Sequence, residues 1–378
     1  MDLTEREARN FDRLPERVKP IAGRLLKLQL EAIPEHPETN RWYRYNPPGY
    51  LCADGEPYHG MFKIGKENKL LILFCGGGVS IDDFTAARPS SIFTDSQAET
   101  FYFNDVFLIG DYFVRIGLPE VREDNPFRDW SMIVVPYATG DFHAGRNDHA
   151  FHDAELGDGI VHHHGHINLH MLLDGIRKYV RNPEKLLVTG LSAGGFATAL
   201  LTDDIMDAFP DCRDVTAVVD SALLLFDGWR ATAEHQWGAP RAIFERLVSD
   251  NLVQDSLLAL HAKRPGAKIM FISSTRDCAL AQYQSYIERK KMVATAADGE
   301  KYFSRLQTMC ADLQEHIPDI GFYIFDTTMP ELDNLTLHTL ILDPNSYSLR
   351  VEGKTVFEWM IAGANGKTEK IGMGLLHP

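Results

Sequence analysis

Six short segments of continuous apolar or β-branched residues run through the chain, and each ends at or before a Gly, Asp, Ser or Pro. Segments that are apolar throughout, rather than alternating, are typical of strands in a parallel sheet covered on both faces. Helical patterns lie between several of them, and alternation of this kind predicts βαβ units in an α/β fold. The strand candidates are Leu70–Cys75, Met132–Pro136, Lys185–Thr189, Val215–Val219, Lys268–Ile272 and Phe322–Phe325, and the helix candidates are Ile167–Val180, Gly194–Met206, Ala242–Leu260 and Glu300–His316.

The other segments predict additions to a single α/β domain over residues 1–378. Residues 1–45, with an amphipathic stretch near 17–33, predict an N-terminal helical arm packed on the outside. The aromatic-rich segment 84–123 is expected to form a cap-like insertion over the site. Residues 354–363 predict a closing helix that ends at its glycine.

Charge and cysteine usage limit the partners. The net charge of −15 argues against nucleic acid and anionic membranes, which both need clustered cations, so a neutral or modestly charged substrate fits better. No stretch approaches a membrane span, and the first ten residues do not read as a secretory leader. The five scattered cysteines fit neither a disulfide framework nor a zinc site. A cytoplasmic protein is therefore expected, or a secreted one if a leader has been removed.

The candidate nucleophile is Ser192, in Gly190-Leu191-Ser192-Ala193-Gly194. An apolar strand precedes this pattern and a helix rich in small residues follows it, which is the context of a nucleophile elbow. The sharp turn leaves no room for side chains two residues before and after the serine. It also places the N–H of Ala193 where it can stabilise an oxyanion. The alternative is an ordinary glycine-rich turn between a strand and a helix.

The serine needs a base and an acid that follow it in the chain. Counting strands after the elbow places Asp277 behind the second one, as the leading candidate for the acid. Asp220 directly ends a buried strand and is the rival. His338 follows the last strand and is the only histidine between it and the closing helix, so it is the candidate base; the alternative is a structural histidine.

A second oxyanion donor is expected from the loop after an earlier strand. Leu70–Cys75 ends in Gly76-Gly77-Gly78, where backbone N–H groups can face a ligand with no Cβ in the way. Gly77 and Gly78 are therefore predicted to complete the oxyanion hole with Ala193. The alternative is a flexible turn.

Histidines are concentrated between residues 143 and 170, mostly ahead of the nucleophile strand. They invite a metal interpretation, but no Glu or Cys at ligand spacing completes a known pattern, so no metal is predicted. Lining of the site entrance is the preferred role, with Asp141, His143 and His164 as candidate substrate contacts. Loop capping is the alternative for Asp141.

With these residues assembled, the chain resembles the pectin acetylesterase family from about residue 50 to 340. The resemblance is carried by Cys52–Gly55, Leu70–Gly78, Asn125–Trp130, Pro136–Gly145, Gly190–Gly195 and Asp220–Ala222. It implies an α/β-hydrolase fold, places Asp277 and His338 at the positions of the family's acid and histidine, and makes Asp220 a structural residue. Val79-Ser80 stands where the family has Trp-Cys, and the family's cysteines around the histidine are absent, which agrees with a reducing compartment.

The resemblance implies a carboxylic-ester hydrolase that removes acetyl or another short acyl group from a carbohydrate. The expected partner is a small-molecule or oligosaccharide ester, and the reaction requires no cofactor. One alternative is a lipid-ester hydrolase or thioesterase whose longer acyl pocket is lined by residues 84–113. An alternative from another class is a non-catalytic binding module on the same fold.

Overall fold

A mixed sheet of nine strands organises the protein. The computed structural model describes residues 11–12, 14, 16, 19–91, 94, 98–106 and 110–377. Within these ranges the strands are β1 (Trp42–Tyr45), β2 (Gly60–Lys63), β3 (Glu67–Phe74), β4 (Pro89–Ser90), β5 (Tyr102–Phe103), β6 (Trp130–Val135), β7 (Asn147–Asp153), β8 (Gly157–His163), β9 (Lys185–Leu191), β10 (Asp214–Asp220), β11 (Lys268–Ser274), β12 (Gly321–Phe325), β13 (Thr328–Met329), β14 (Leu335–Thr336) and β15 (Lys370–Ile371). The central sheet has the order β1-β2-β6-β3-β9-β10-β11-β12-β15.

The six predicted strands are confirmed as β3, β6 and β9 to β12. These six strands pair in parallel with one another, whereas β2 runs antiparallel to β6 and β1 runs antiparallel to β2. Every side chain of Leu70–Phe74 and Met132–Val135 is inaccessible to solvent. This burial explains why these strands are apolar throughout. Since parallel strands end at the same edge, the loops after β3, β9, β10 and β11 gather there.

Helices flank this sheet. They are α1 (Lys19–Leu26), α2 (Asp83–Ala86), α3 (Gly165–Ile176), α4 (Ala193–Ala208), α5 (Trp229–Ala231), α6 (Arg241–Phe244), α7 (Leu252–Lys263), α8 (Cys278–Arg289), α9 (Ala296–His316) and α10 (Val356–Ala364), with a π-helix at Thr232–Gln236 and 3-10 turns at Gly110–Arg115, Pro330–Leu332, Pro344–Tyr347 and Met373–Leu376. The predictions for α3, α4, α9 and the closing helix α10 are confirmed within a few residues. Together, the sheet and helices form an α/β-hydrolase fold.

The helix predicted over Ala242–Leu260 is wrong as one element, because the chain turns between α6 and α7. The carboxylate of Asp255 accepts hydrogen bonds from the backbone N–H groups of Val248 and Ser249. The side chain of Asn251 then caps the start of α7. The N–H groups of this turn therefore bind a buried carboxylate, which is a stronger acceptor than the backbone carbonyls of a continued helix would be.

The predicted arm over 1–45 differs from expectation at its end. Its described part contains α1, but Trp42–Tyr45 forms β1 at the edge of the sheet. The predicted insertion over 84–123 contains β4, β5 and a 3-10 turn within its described residues. Residues 92–93, 95–97 and 107–109 of this insertion, and much of the arm, lie outside the described residues. Movement of the insertion as a lid stays a prediction.

The histidine-rich region contains a hairpin that the sequence did not reveal. β7 and β8 pair antiparallel, with Asn147 opposite His163 and Asp153 opposite Gly157. Both strands carry charged and imidazole side chains on a half-exposed surface. Because hydrophobic alternation is the usual signal of such a strand, this composition hides it.

All five cysteines are free thiols, and four of them are buried. No helix in the described ranges combines the length and apolarity needed to cross a membrane.

Candidate active site

Ser192 occupies a strained turn between β9 and α4. Its backbone has φ of 55° and ψ of −125°, a region that a residue with a Cβ rarely adopts. A Cβ on Gly190 would lie 2.2 Å from the carbonyl oxygen of Gly194, and one on Gly194 would lie 2.1 Å from that of Phe74. The two glycines are therefore required by the closeness of the turn, and the predicted elbow geometry is present.

His338 is held by the carboxylate of Asp277. The ring Nδ1 lies 2.8 Å from Asp277 Oδ2, and the aspartate is fully buried while the histidine side chain is 20% exposed. A carboxylate can only accept, so the shared proton belongs to Nδ1, and Nε2 is left free to act as a base. Burial lowers the pKa of His338, but the charge and hydrogen bond of Asp277, with a smaller effect of Asp220, outweigh it and raise the pKa above its usual value.

The loop that carries Asp277 is joined to the loop that carries His338. Thr336 donates its backbone N–H to Arg276 O at 2.9 Å, and its hydroxyl accepts from the Arg276 N–H at 2.8 Å. The same hydroxyl donates to Ser274 Oγ. The second oxygen of Asp277, Oδ1, caps α8 through the N–H of Leu280. The aspartate and the histidine are thus oriented by contacts on both sides.

Asp220, the rival acid, binds backbone instead of the imidazole. Its Oδ2 accepts from the N–H groups of Leu340 and Ile341 at 2.8 and 2.9 Å, and its Oδ1 accepts from the hydroxyl of Ser221. Burial raises the pKa of Asp220 to about 6, against the opposing effect of these hydrogen bonds. The contact with His338 Nδ1 is therefore made by Asp277, and Asp220 fixes the segment that follows the histidine.

The glycine run after β3 lies against the elbow. A Cβ on Gly76 would be 2.7 Å from the Cβ of Ser192. The carbonyl of Gly77 accepts from Phe103, but the N–H groups of Gly77 and Gly78 have no hydrogen-bond partner in the described part of the chain. Ala193 begins α4, where helical N–H groups lack intrahelical partners. These donors are the ones predicted from the sequence, and their role in binding an oxyanion stays a prediction.

Ser192 and His338 line one cavity of about 370 Å³. In the described structure no hydrogen bond joins the Ser192 hydroxyl to the His338 imidazole, and the two side chains face the same cavity. Aromatic side chains from the predicted insertion form much of the wall. The other lining residues are Gly76, Gly77, Gly78, Ser90, Thr100, Phe101, Tyr102, Phe103, Phe113, Leu191, Ala279, Tyr283 and Thr339.

Tyr283 was not identified from the sequence as a residue of the site, because helix α8 was not predicted. Its hydroxyl donates to the carbonyl of Phe101 at 2.6 Å, and its oxygen would lie 2.2 Å from a Cβ on Gly78. The side chain therefore joins α8, the insertion and the glycine loop. The apolar spacing of 280, 283 and 287 was the signal available for this helix.

Asp141 is buried inside its own loop, and not on the cavity wall. Its Oδ1 accepts from the Thr139 hydroxyl and the His143 N–H, and its Oδ2 accepts from the N–H groups of Gly145 and Gly165. Four donors occupy the two oxygens, and the side chain is fully buried. This geometry favours loop capping over the predicted substrate contact.

His143 and His164 also lie off the described cavity wall. His143 is 1% exposed, its Nε2 lies 3.1 Å from the carbonyl oxygen of Cys75, and burial lowers its pKa to about 4. It braces the end of β3 just before the glycine loop. His164 Nε2 lies 2.8 Å from Asp148 Oδ1, the oxygen that His162 Nδ1 also contacts. Substrate binding by either histidine stays a prediction, without support from the geometry.

Comparison with known proteins gives a family and a fold. A sequence model of the pectinacetylesterase family matches residues 45–317. Two crystal forms of the Wnt deacylase Notum from Drosophila superpose with TM-scores of 0.58. One is 15% identical and covers 85% of this chain and 92% of that chain; the other is 13% identical and covers 87% and 94%. At this identity the likeness shows the fold alone.

No curated protein matches the sequence. The family match ends before His338, so the position of that histidine rests on the structure. Neither comparison supports the predicted cytoplasmic location, which stays a prediction beside the secreted alternative.

Proposed function

This chain belongs to the pectinacetylesterase family and is thereby a hydrolase of esters, and from that premise we propose that it is a serine carboxylesterase acting on acetylated carbohydrate. The observation that carries the proposal is the meeting of three features at one cavity. These features are the strained serine, the histidine held by a buried aspartate, and a glycine loop with unused N–H groups. Each has a distinct task in acyl transfer.

In the first half-reaction the Ser192 oxygen attacks the ester carbonyl carbon while His338 Nε2 accepts the hydroxyl proton. Asp277 keeps the imidazole in the tautomer with the proton on Nδ1 and stabilises the positive ring that results. The N–H groups of Gly77, Gly78 and Ala193 then receive the negative carbonyl oxygen. The bond to the alcohol oxygen breaks, and the alcohol leaves with the proton that His338 returns.

In the second half-reaction water attacks the acyl-serine. His338 accepts a proton from the water and returns it to the Ser192 oxygen as the acid is released. Its raised pKa makes the imidazole a stronger base toward the hydroxyl and the water.

The cavity wall bears on the choice of substrate. Phe101, Phe103 and Phe113 present apolar surface to a volume within the range of small-molecule sites. Such surface fits the methyl of an acetyl group and the face of a sugar ring. It also fits a longer acyl chain, which keeps a lipid-ester hydrolase or thioesterase as the second candidate.

Labelling with a fluorophosphonate tests the nucleophile. We expect the folded chain to be labelled and the Ser192→Ala variant to resist labelling, because the probe forms its bond with the activated serine oxygen. Ser90→Ala is the matched control, since Ser90 lines the same cavity. Equal labelling of the wild type and Ser192→Ala, or no labelling of the folded wild type, would reject the serine mechanism and favour the binding-module alternative.

A series of p-nitrophenyl esters from acetate to decanoate tests the acyl group. The proposal expects the highest kcat/KM among the shortest chains, together with acetate release from acetylated pectin. A maximum at the long esters, with no acetate released from the polymer, would reject the acetylesterase and support the lipid-ester alternative.

A further inference from the structure

Two histidines and an aspartate converge on one point between α3 and α4. His166 and His170 are four residues apart on α3, so they lie on the same face of the helix. Both Nε2 atoms point at one oxygen of Asp204 on α4, at 3.0 and 2.8 Å. The two imidazole centroids are 4.4 Å apart. Three side chains from two helices thus direct one ligand-type atom each to a common centre.

The separations between these atoms match the coordination of a small cation. All three lie within 4.8 Å of one another. Bonds of about 2.0–2.2 Å to a tetrahedral zinc ion place neighbouring ligand atoms roughly 3.3 Å apart. The two histidine-to-carboxylate distances fall slightly below that value, so a small outward movement of the side chains is enough to admit an ion.

The charge at this point also suits a cation. A carboxylate oxygen is one of the ligands that zinc takes in proteins, beside histidine nitrogen. The neighbouring Asp203 is already paired with Lys263 and Arg264. The hydrogen-bonding partners of Asp204 are the two histidines.

A half-buried arginine is the opposing charge. The guanidinium of Arg246 donates to the carbonyl of Leu200 and interacts electrostatically with Asp203 and Asp204. It weakens the site relative to one with the carboxylate alone. Two neutral imidazole nitrogens still supply two of the three protein ligands.

The three side chains differ in their exposure to solvent. The side chain of His166 is 9% exposed, that of Asp204 is 32% exposed and that of His170 is 40% exposed. An ion can enter from the solvent side, and water can take the remaining coordination position on that side.

We propose that His166, His170 and Asp204 form a binding site for a divalent transition-metal ion such as Zn²⁺, which clamps α3 to α4. Without the ion each Nε2 carries the proton that it donates to Asp204, so coordination through Nε2 requires that proton to leave and each ring to carry its proton on Nδ1 instead. Asp204 lies twelve residues after Ser192, about 18 Å along the helix, so the ion acts on the scaffold and not on the ester. The inference does not depend on the proposed esterase activity.

A second cluster provides the internal control. His162, His164 and Asp148 also share one carboxylate oxygen, but they lie on and beside the hairpin, and the Asp148 side chain is 59% exposed. The helical cluster has a buried member and a regular scaffold, which hold the ligand atoms in place more firmly.

Titration calorimetry with Zn²⁺ tests the site on the full, metal-free chain, without a histidine tag. We expect saturable binding that loses one equivalent in His170→Ala and in Asp204→Asn, and keeps it in the control His162→Ala. His170 is partly exposed, so its variant should fold, which circular dichroism checks. At about one hundred times Kd, Zn²⁺ should raise the wild-type Tm by about 3 °C and the His170→Ala Tm by less.

Co²⁺ provides a second readout that a merely structural cluster would not give. Nitrogen ligation should produce a visible ligand-field absorption band in the wild type that is lost in His170→Ala. The proposal is overturned if Zn²⁺ binds wild type and His170→Ala with equal stoichiometry, if no Zn²⁺ binds, or if only His162→Ala loses binding. A wild-type stoichiometry of two that falls to one in His170→Ala supports it.

Discussion

At the scale of single residues, two buried aspartates act on His338 by different contacts. Asp277 meets the imidazole, whereas Asp220 holds the backbone two and three residues beyond it. We predict that Asp277→Asn lowers kcat by roughly 10³–10⁴, because the amide favours the wrong tautomer. Asp220→Asn should cost far less, because an amide can still accept from the backbone N–H groups and donate to Ser221. Rates on p-nitrophenyl acetate, measured with both variants, check this.

The pH profile separates orientation from charge in the same variants. His338 must be neutral to act as a base, and its pKa is raised above the ordinary 6.5, chiefly by Asp277 against burial. The wild-type kcat/KM should therefore fall as the pH drops through a value above 6.5. In Asp277→Asn the residual kcat/KM should begin to fall at a lower pH than in the wild type, because the charge that raises the pKa of His338 is gone. A larger loss in Asp220→Asn than in Asp277→Asn would contradict the assignment.

Some features of the site were accessible from sequence and others were not. The strained turn at Ser192 follows from its motif, and the contact between Asp277 and His338 follows from their order behind successive strands, which the parallel sheet brings together. Their catalytic roles stay predictions. Asp141 and His164 were predicted to contact substrate because they lie in the histidine-rich region. The directions of side chains in that region depend on the hairpin β7–β8. That hairpin has no apolar alternation, so nothing in the sequence indicated which way these side chains point.

At the scale of elements, the glycine loop after β3 has no spare room. Gly78 has φ of +82°, and a Cβ there would lie 1.9 Å from the carbonyl oxygen of Phe101. We predict that Gly78→Ala displaces the loop and lowers kcat by about 10²–10³, the usual effect of losing an oxyanion donor. The measurement is kcat beside Tm, since the strain also destabilises the fold.

Gly266→Ala is the matched control for that substitution, because a Cβ at Gly266 meets nothing within 4 Å. It should leave kcat and Tm unchanged. A Gly78→Ala variant with wild-type kcat would show that the loop is not part of the catalytic apparatus.

Elements were predictable where a run of apolar residues marks a buried strand, and obscured where the run is interrupted or local contacts decide. The six predicted strands show their burial in their apolar composition, so their existence can be read from the sequence. β1, at the edge of the sheet, and β2 beside it have only four residues each, with a charged residue among them. The break between α6 and α7 depends on the side chain of Asp255 binding a turn six to seven residues away. Such a contact depends on where the Asp255 side chain points, which the order of residues in the sequence does not show.

At the scale of the whole molecule, stability rests on packing and hydrogen bonds without covalent cross-links, since all five cysteines are free thiols. We predict the same Tm with and without a thiol reductant, and five titratable thiols after denaturation. A disulfide commonly adds about 2–4 kcal/mol, so a marked drop in Tm with reductant would contradict the free-thiol state.

The hydrogen bonds of Asp220 matter for any attempt to transfer this site to another protein scaffold. Its carbonyl oxygen accepts from the N–H of Ser192, while its carboxylate accepts from the chain just past His338. One residue thus positions both the proposed nucleophile and the segment that follows the proposed base. A transplant of Ser192, Asp277 and His338 to another scaffold would therefore have to include a residue that does what Asp220 does, or the distance between the serine and the histidine would not be fixed.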